Sequence, residues 1–206
     1  MPPGAIPGRA VDRNLDDFDE TYLGTPPWDI GRPQPMFSAL LEEGAIEGRV
    51  LDAGCGTGEH VLMVAERGLD ATGIDGAQRA IRIAERKAAE RGIKARFLIW
   101  DALSLADLNE QFDTVTDSGL FHVFDDDRRA RYVRSLAAVV RPGGRILLAC
   151  FSDRQPGDWG PRRVREDELR GAFSDGWIVD SVEPQKFQIN LDPPLAEAWL
   201  ARITRT

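Results

Sequence analysis

The feature that most constrains this sequence is a glycine-rich segment between a predicted strand and a predicted helix. Residues 51–58 read LDAGCGTG. The residues just before them, 49–51, have the apolar and β-branched side chains of a buried strand, and 59–68 have the apolar spacing of a helix that ends at a glycine. Glycine permits positive φ and the close approach of a ligand to the backbone. The segment therefore predicts an α/β fold with a ligand lying across Gly54 to Gly58.

The spacing of the glycines discriminates between cofactors. The dinucleotide fingerprint is G-x-G-x-x-G with a pyrophosphate at the helix N-terminus, whereas Gly54, Gly56 and Gly58 form G-x-G-x-G. Asp52 precedes the first glycine by two positions, and Glu59 follows the last one. A carboxylate at that helix start would repel a pyrophosphate. The spacing thus disfavours NAD and FAD, and an NAD(P)-dependent oxidoreductase on a similar fold is the alternative enzyme.

Two motifs resemble one known family. The Asp-x-Gly-x-Gly-x-Gly pattern of residues 52–58 resembles the first motif of class I S-adenosylmethionine-dependent methyltransferases. The run PPWDIG at 26–31, with Pro33 and Pro35, is similar to a stretch in the thiopurine, halide/thiol and tellurite-resistance methyltransferase group, where it helps to cover cofactor and substrate. An Arg-Pro-Gly-Gly turn at 141–144, before the fifth strand, is a further similarity. The resemblance extends to about residue 151 and implies S-adenosyl-L-methionine as cofactor.

An acid follows each of the first three predicted strands: Asp52, Asp75 and Asp101. In a parallel sheet, ligands gather outside the carboxyl ends of the strands. Asp75 lies 17 positions after Gly58, where a doubly wound nucleotide site has a carboxylate for the ribose hydroxyls, although it could instead cap the next helix. The resemblance implies that Asp101 accepts from the adenine amino group, while the next backbone N–H, that of Ala102, meets a ring nitrogen.

The fourth predicted strand leads into residues 117–122, DSGLFH. The resemblance implies that Asp117 and nearby main-chain carbonyls receive the ammonium of the cofactor's methionine portion, and that Phe121 and His122 face the path of the methyl group. Asp117 and His122 are therefore the candidates for catalysis. A lone histidine is more often structural than a base, so both interpretations of His122 stay open.

Two segments outside the glycine motif could contact the substrate. Residues 11–23 have the spacing of an amphipathic helix, and four prolines make 25–35 an extended loop that carries Trp28. This arm either pins itself to the core or forms a lid over the cofactor. Trp159 lies beside three arginines in a Gly- and Pro-containing loop, which is either a solvated connector or a substrate loop.

These arguments give two sets of candidate residues and no candidate metal ligands. The candidate cofactor-binding residues are Trp28, Asp52, Gly54, Cys55, Gly56, Gly58, Asp75, Gly76, Asp101, Ala102, Asp117 and Ser118. The candidate substrate-binding residues are Phe18, Tyr22, Trp28, Phe121, His122 and Trp159.

Length and element order predict the architecture. A chain of 206 residues fits one domain, divided into a flexible tail at 1–10, the helix and Pro/Trp lid at 11–35, and a methyltransferase domain at 36–206. Alternating strands and helices predict an α/β, doubly wound, Rossmann-like domain, with a mostly parallel seven-stranded sheet and a last antiparallel strand. Residues 177–182 and 186–189 are predicted to form the final antiparallel pair, and 196–203 a short amphipathic segment.

Composition excludes several classes of partner. A net charge of −8 gives no basic face for nucleic acid. No apolar run is long enough to span a bilayer, and the first residues lack a signal peptide. Two cysteines, neither in a disulfide framework, are typical of a cytoplasmic protein. We expect a monomer or weak homodimer.

The predicted reaction is methyl transfer to a sulfur, nitrogen or oxygen of a small, aromatic or heterocyclic molecule by direct in-line displacement. Such a transfer depends mainly on alignment, and a base is needed only for hard nucleophiles. The alternatives are the oxidoreductase and a non-catalytic S-adenosylmethionine-binding protein.

Overall fold

A computed structural model describes residues 15–206, in which helices and strands alternate as predicted. The α-helices are α1 Leu15–Thr21, α2 Pro35–Glu42, α3 Glu59–Glu66, α4 Gln78–Arg91, α5 Asp126–Val139 and α6 Glu166–Ala172. The strands are β1 Arg49–Ala53, β2 Asp70–Asp75, β3 Arg96–Ile99, β4 Phe112–Ser118, β5 Val140–Phe151, β6 Trp177–Gln188 and β7 Leu195–Arg205. Two 3₁₀ segments, Ala102–Leu108 and Phe121–Val123, follow β3 and β4. The predicted tail at 1–10 and the first residues of the arm lie outside the described residues.

Within the described part of the chain, all seven strands form one sheet in the order β3-β2-β1-β4-β5-β7-β6. β1 pairs in parallel with β2 and β4, and β7 runs antiparallel to both β5 and β6. The predicted α/β fold, with a mostly parallel sheet and one antiparallel strand, is confirmed. The chain order reverses between β1 and β4, and ligands of doubly wound sheets bind outside the carboxyl ends of the strands at such a point.

Two apolar layers cover the sheet. Helices α2, α3 and α4 bury one face around side chains such as Phe37, Leu62 and Ala84. Helix α5, α6 and the first 3₁₀ segment bury the other face around Leu136 and Leu105. Both faces of the parallel part are therefore covered, and most residues of β1, β2 and β4 are buried. No helix in residues 15–206 is long and apolar enough to cross a membrane.

The C-terminal part of the sheet differs from the prediction. Residues 177–188 form one long strand, β6, with a register shift between Val179 and Ser181, and its antiparallel partner is β7. The segments 177–182 and 186–189 therefore do not pair with each other as predicted, because 177–188 is a single strand. Pro184 lies within it and is tolerated because β6 is at the edge of the sheet. The segment predicted to be short and amphipathic is instead an eleven-residue strand, whose Trp199, Ala201 and Ile203 are buried.

Candidate active site

The glycine turn leaves β1 with three left-handed glycines. The φ angles of Gly54, Gly56 and Gly58 are +72°, +51° and +85°. A Cβ on Gly58 would lie 2.8 Å from atoms of both Ala84 and Phe97, so this glycine is required for packing of the core. A Cβ on Gly54 would instead lie 3.1 Å from the side chain of Leu120, and a Cβ on Gly56 would lie 3.0 Å from the Tyr22 hydroxyl. The first two glycines therefore form the surface that a ligand can approach.

Asp75 stands beside this surface at the end of β2. Its Oδ2 accepts from the Gly56 N–H at 2.9 Å and its Oδ1 from the Ala77 N–H at 2.8 Å. Burial raises its pKa above the usual value, and the two backbone N–H groups oppose that rise. The carboxylate fixes the turn, and each oxygen keeps a lone pair that could accept from a ribose hydroxyl. The N-cap of α4 is Ala77 rather than Asp75.

The other cofactor-binding candidates at the ends of β1, β2 and β3 have small or exposed side chains. Asp101 is exposed and caps the first 3₁₀ segment by accepting from the Leu103 N–H at 2.9 Å. Ala102 is buried behind it, and Gly76 is half-buried. Cys55 is buried, and burial raises the pKa of its thiol, so it is not a thiolate. A Cβ on Gly73 would lie 2.8 Å from the Cys55 sulfur, which shows that a small side chain is needed there.

Asp52 is buried at the carboxyl end of β1 with one oxygen unsatisfied. Its Oδ1 accepts from the Thr116 hydroxyl at 2.6 Å, whereas its Oδ2 is buried and has no hydrogen-bond partner. Burial is the main cause that raises the pKa of this carboxyl to about 7. An orphaned carboxylate oxygen is costly in the absence of a donor. It fits the ammonium group of an amino-acid cofactor.

His60 lies close to this oxygen and was missed by the sequence reasoning. Its Nε2 accepts from the Gln34 N–H at 3.0 Å, so the ring proton is on Nδ1. Nδ1 is 3.9 Å from Asp52 Oδ2, which is too long for a hydrogen bond. Burial lowers the pKa of His60 to about 4. The signal that could have found it is a histidine one position after the acid that begins α3.

The structure contradicts the predicted role of the Asp117 side chain. Its carboxyl group is fully buried and accepts from the backbone N–H of Leu120 at 2.7 Å, from the N–H of Phe121 and from the Tyr132 hydroxyl at 3.0 Å. Burial raises its pKa to about 7. The side chain holds the loop after β4 and has no exposed surface for a ligand. Contacts through the main-chain carbonyls of Asp117 and half-buried Ser118 stay predictions.

Phe121 is also not placed to face a substrate. Its side chain is completely buried, with the guanidinium carbon of Arg129 4.5 Å from its ring centroid and the Phe173 ring 5.9 Å away. The predicted substrate contact is therefore wrong, because the short 3₁₀ segment turns this ring into the core. The residue that faces the glycine turn is its neighbour Leu120.

His122 is oriented by the backbone of β5. Its Nδ1 accepts from the Phe151 N–H at 2.9 Å, and its ring lies 5.2 Å from the Phe151 ring and 6.3 Å from the Phe187 ring. Burial, together with nearby Arg129, lowers its pKa to about 3. The ring is neutral with its proton on Nε2, so Nε2 cannot accept another proton as a general base. The structure contradicts that catalytic role and leaves the predicted substrate contact open.

Helix α1 and Trp28 lie over the glycine turn. Asp19 on α1 accepts from the Arg79 N–H at the start of α4 and forms an ion pair with its side chain. The Trp28 Nε1–H donates to the Tyr22 hydroxyl at 3.1 Å, and this hydroxyl is the atom that a Cβ on Gly56 would meet. Phe18 is half-buried on the same helix. The arm is thus placed as a cover.

The loop that follows Trp28 is fixed to the end of β6. Asn190 donates from its backbone N–H to the Pro27 carbonyl at 2.8 Å and from its side chain to the Asp29 carbonyl at 2.7 Å. The side-chain amide of Gln34 pairs with the backbone N–H and carbonyl of Gln188, both at 2.9 Å. This part of the arm belongs to the fixed frame of the site.

The loop after β5 brings Trp159 to the aromatic residues near His122. The Trp159 ring is half-buried and meets the Phe151 ring edge-on at 5.8 Å. Arg163 donates to its backbone carbonyl at 3.1 Å. Phe151 and Phe187 were not identified from the sequence, because they lie on separate strands. We refer to His122, Phe151, Trp159 and Phe187 as the aromatic cluster.

A Rossmann-like sheet with a glycine turn at its switch point, flanked by acids at strand ends, defines an enzyme class that binds a nucleoside cofactor. Comparison with known proteins identifies its family. Residues 50–144 match the methyltransferase domain family. The chain is 38% identical over 191 residues to 2-heptyl-1-hydroxyquinolin-4(1H)-one methyltransferase of Mycobacteroides abscessus, which covers 87% of this chain and 84% of the relative.

Two further similarities agree with this match. The chain is 27% identical over 136 residues to probable thiol methyltransferase 2 of Arabidopsis thaliana, covering 62% of this chain and 58% of that one. A structure solved in work on the conversion of a disulfide bond into a thioacetal group during echinomycin biosynthesis superposes with a TM-score of 0.86 and 37% identity, covering 93% and 92% of the two chains. The chain belongs to the class I S-adenosylmethionine-dependent methyltransferases. It is a small-molecule methyltransferase with S-adenosylmethionine as cofactor, and the oxidoreductase alternative is excluded.

Proposed function

We propose that this enzyme methylates a sulfur, nitrogen or oxygen atom of a small aromatic or heterocyclic molecule by in-line displacement. The observation that carries the proposal is the aromatic cluster, which lies at the same edge of the sheet as the glycine turn. Its rings come from the carboxyl ends of β5 and β6 and from two loops at the same edge. Aromatic side chains favour planar apolar ligands, which they contact face-on or edge-on.

The residues proposed for the cofactor divide by chemistry. Asp75 would accept from the ribose hydroxyls, and Asp101 with the Ala102 N–H would meet the adenine. Asp52 would receive the ammonium, which supplies the donor that its Oδ2 lacks. S-adenosylmethionine supplies a methyl group activated by a sulfonium. The enzyme's own contribution is alignment and exclusion of water, and placement alone can supply up to about 7 to 11 kcal/mol of rate acceleration.

The arm is proposed to close the site. Tyr22 and Trp28 are hydrogen-bonded to each other over Gly56, and the Pro/Trp loop is fixed to the end of β6. This arrangement would let α1 open and close while the loop stays in place. The relative from Mycobacteroides abscessus acts on a hydroxyquinolinone, as its name states, which supports a planar heterocyclic acceptor here. A cytoplasmic location, the absence of a nucleic-acid partner and a monomer or weak homodimer stay predictions.

The proposal is tested by a screen with labelled S-adenosylmethionine against aromatic thiols, phenols, hydroxyquinolinones and halides. We expect methylated product from at least one planar heteroaromatic class, and less from halides or aliphatic thiols. Calorimetry with S-adenosylhomocysteine shows whether the cofactor site is intact in the same preparation. Tight cofactor binding with no product from any acceptor would identify a non-catalytic binding protein instead. The variant that tests the aromatic cluster is Phe187→Ala. It should lower acceptor turnover and leave cofactor affinity unchanged.

A further inference from the structure

His122 presents one polar edge among aromatic rings. Because Nδ1 accepts the Phe151 N–H, the proton of the neutral ring is on Nε2. Among the described residues Nε2 has no hydrogen-bond partner, yet it is not one of the sealed, unsatisfied polar atoms, and the residue is 7% exposed. A Cβ on Gly119 would lie 3.5 Å from this nitrogen. The N–H donor of Nε2 therefore lies beside Gly119 in the loop after β4, with a small exposed surface.

The surroundings keep this ring neutral. Burial is the main cause that lowers the pKa of His122, and the Arg129 guanidinium on α5 lowers it further. From β4, the Asp117 carboxyl is engaged by Leu120, Phe121 and Tyr132. The strands β5 and β6 contribute only the Phe151 and Phe187 rings to the ring contacts of His122. His122 can therefore donate a hydrogen bond from Nε2, but it cannot accept a proton.

We propose that His122 orients the acceptor by donating a hydrogen bond from Nε2, and that the acceptor is a planar aromatic molecule whose nucleophilic group is already ionised when it binds. This inference rests on the proposed function and specifies its substrate class. Examples of that class are acidic phenols, N-hydroxy heterocycles and aromatic thiols. His122 is a positioning and specificity residue, which holds either the anion or a neighbouring carbonyl oxygen of the acceptor.

The balance of the reaction agrees with this role. When an anionic acceptor attacks, a bond forms between its heteroatom and the methyl carbon, the bond from that carbon to sulfur breaks, and the electron pair remains on sulfur. The products are the neutral methylated acceptor and neutral thioether, and no proton is transferred. A neutral alcohol would also have to lose a proton, and Nε2 already carries one. Acceptors that are not ionised at neutral pH should therefore react poorly.

Two substitutions separate donation from a structural role. In His122→Gln the side-chain nitrogen can stand near the position of Nε2 and donate, but the acceptor for the Phe151 N–H is lost. In His122→Asn the side-chain oxygen can accept from Phe151, but no donor reaches the position of Nε2. A hydrogen bond to a charged group contributes about 1.5 to 3 kcal/mol. We therefore expect His122→Asn to lower kcat/KM for an ionised acceptor roughly 10- to 100-fold. The loss in His122→Gln should be several-fold smaller than the loss in His122→Asn.

Acceptor binding to the complex with S-adenosylhomocysteine gives a readout that does not depend on turnover. Calorimetry should show the same order, with weaker acceptor binding for His122→Asn than for His122→Gln, and unchanged S-adenosylhomocysteine affinity in both. If Asn binds and methylates the acceptor as well as the unmodified enzyme while Gln does not, the histidine only supports β5 and the proposal is overturned. Melting temperatures of both variants show that each is folded.

The pH dependence provides the decisive comparison with a catalytic base. In a series of substituted acceptors of graded acidity, the pH midpoint of kcat/KM should move with the pKa of each acceptor. A midpoint that is the same for every acceptor and disappears in His122→Gln would show that His122 is a base, and would overturn the proposal while leaving the methyltransferase assignment intact. If no acceptor is methylated at any pH, the proposed function itself fails.

Discussion

The half of the site that we propose for the cofactor and the half that we propose for the acceptor are built differently, as their histidines show. On the cofactor half, the His60 Nε2 accepts a backbone N–H and its Nδ1–H points toward the buried carboxylate of Asp52. On the acceptor half, the His122 Nδ1 accepts a backbone N–H and its Nε2–H lies near Gly119, among aromatic rings. Burial keeps both rings neutral. The backbone thus selects opposite tautomers, each directing its N–H to the chemistry of its own half.

The two halves also differ in how far apart their residues lie along the chain. The cofactor half depends on acids and glycines that follow individual strands. The acceptor half is assembled from a loop after β4, the ends of β5 and β6, and the loop that carries Trp159. A common cofactor can be served by local motifs, whereas a particular acceptor needs side chains from distant segments.

The largest expected effect separates two glycines of the same turn. Gly58→Val should destabilise the fold more than Gly56→Val, because its side chain would collide with Ala84 and Phe97. Overpacking of this kind typically destabilises by about 1 to 3 kcal/mol, whereas both variants share the strain of a left-handed residue. Gly56→Val should keep the fold and abolish S-adenosylhomocysteine binding, because its neighbour is the arm. Thermal melting and calorimetry on both variants measure this contrast. Equal loss of stability in both would remove the distinction.

Substitution of Asp75 tests the cofactor half alone. Asp75→Ala should weaken S-adenosylmethionine binding by about 1 to 3 kcal/mol, because the ribose would lose an ionised acceptor and the Gly56 N–H its partner. The matched control is Asp70→Ala at the exposed start of the same strand, where only an ion pair with Arg49 is removed. Calorimetry should show unchanged affinity for the control. Unchanged affinity in folded Asp75→Ala would contradict the ribose assignment.

Most elements of the cofactor half could be predicted from the sequence, and the predictions that failed did so for physical reasons. Asp75 was correctly placed at the end of its strand because a strand followed by an acid is a local signal. Asp117 and Phe121 were also placed correctly along the chain, but the pattern does not determine which way a side chain points after a strand ends. Here Asp117 is still part of β4 and Phe121 begins the short 3₁₀ segment, and both side chains are buried.

The acceptor half was harder to predict because its contacts join distant segments. Residues 177–182 and 186–189 were predicted to pair with each other, whereas 177–188 is one strand that pairs with β7. No local pattern places Phe187 on this strand beside His122 on the loop after β4. His60 was missed because its importance comes from two partners, Gln34 and Asp52, that no local pattern connects.

The pH dependence of stability distinguishes the buried acids from the aromatic half. Asp52 and Asp117 have folded-state pKa values of about 7 against a usual value of 3.8. Between about pH 4 and 7 these carboxyls are ionised in the unfolded chain and protonated in the fold. Unfolding then releases protons, so stability should fall as pH rises through this window, by at most about 4 kcal/mol for each carboxyl.

Chemical denaturation of the empty enzyme from pH 4 to 8 measures this slope. Asp52→Asn should reduce this slope by about half, because the amide does not ionise and Asp117 still does. S-adenosylhomocysteine should stabilise the unmodified enzyme more at pH 7.5 than at pH 5, since its ammonium favours the ionised form of Asp52. Stability that rises with pH across the whole window, in both proteins, would contradict the assignment of these two groups.

The smallest expected effect on stability concerns Trp28. Trp28→Ala should lower turnover more than it lowers stability, because the indole closes the site through Tyr22, whereas a purely structural tryptophan would contribute about 3 kcal/mol or more to the fold. Hydrogen exchange in residues 18–25 should slow when S-adenosylhomocysteine binds, and residues 27–34, which are fixed to Asn190 and Gln188, should change less. A variant that melts early with normal turnover would make Trp28 an anchor.

The most direct test of the account is a single-turnover experiment with S-adenosylmethionine labelled by ¹³C in its methyl group. Enzyme, cofactor and an acidic N-hydroxy heterocycle or aromatic thiol are mixed in equal amounts at pH 7 and followed by NMR. We predict one equivalent of S-adenosylhomocysteine and one new methyl signal on the ionised heteroatom of the acceptor, with no signal in the Gly56→Val variant. Label that remains on the sulfonium in a saturated complex, or that appears on a group of the acceptor that is not ionised, would contradict the account.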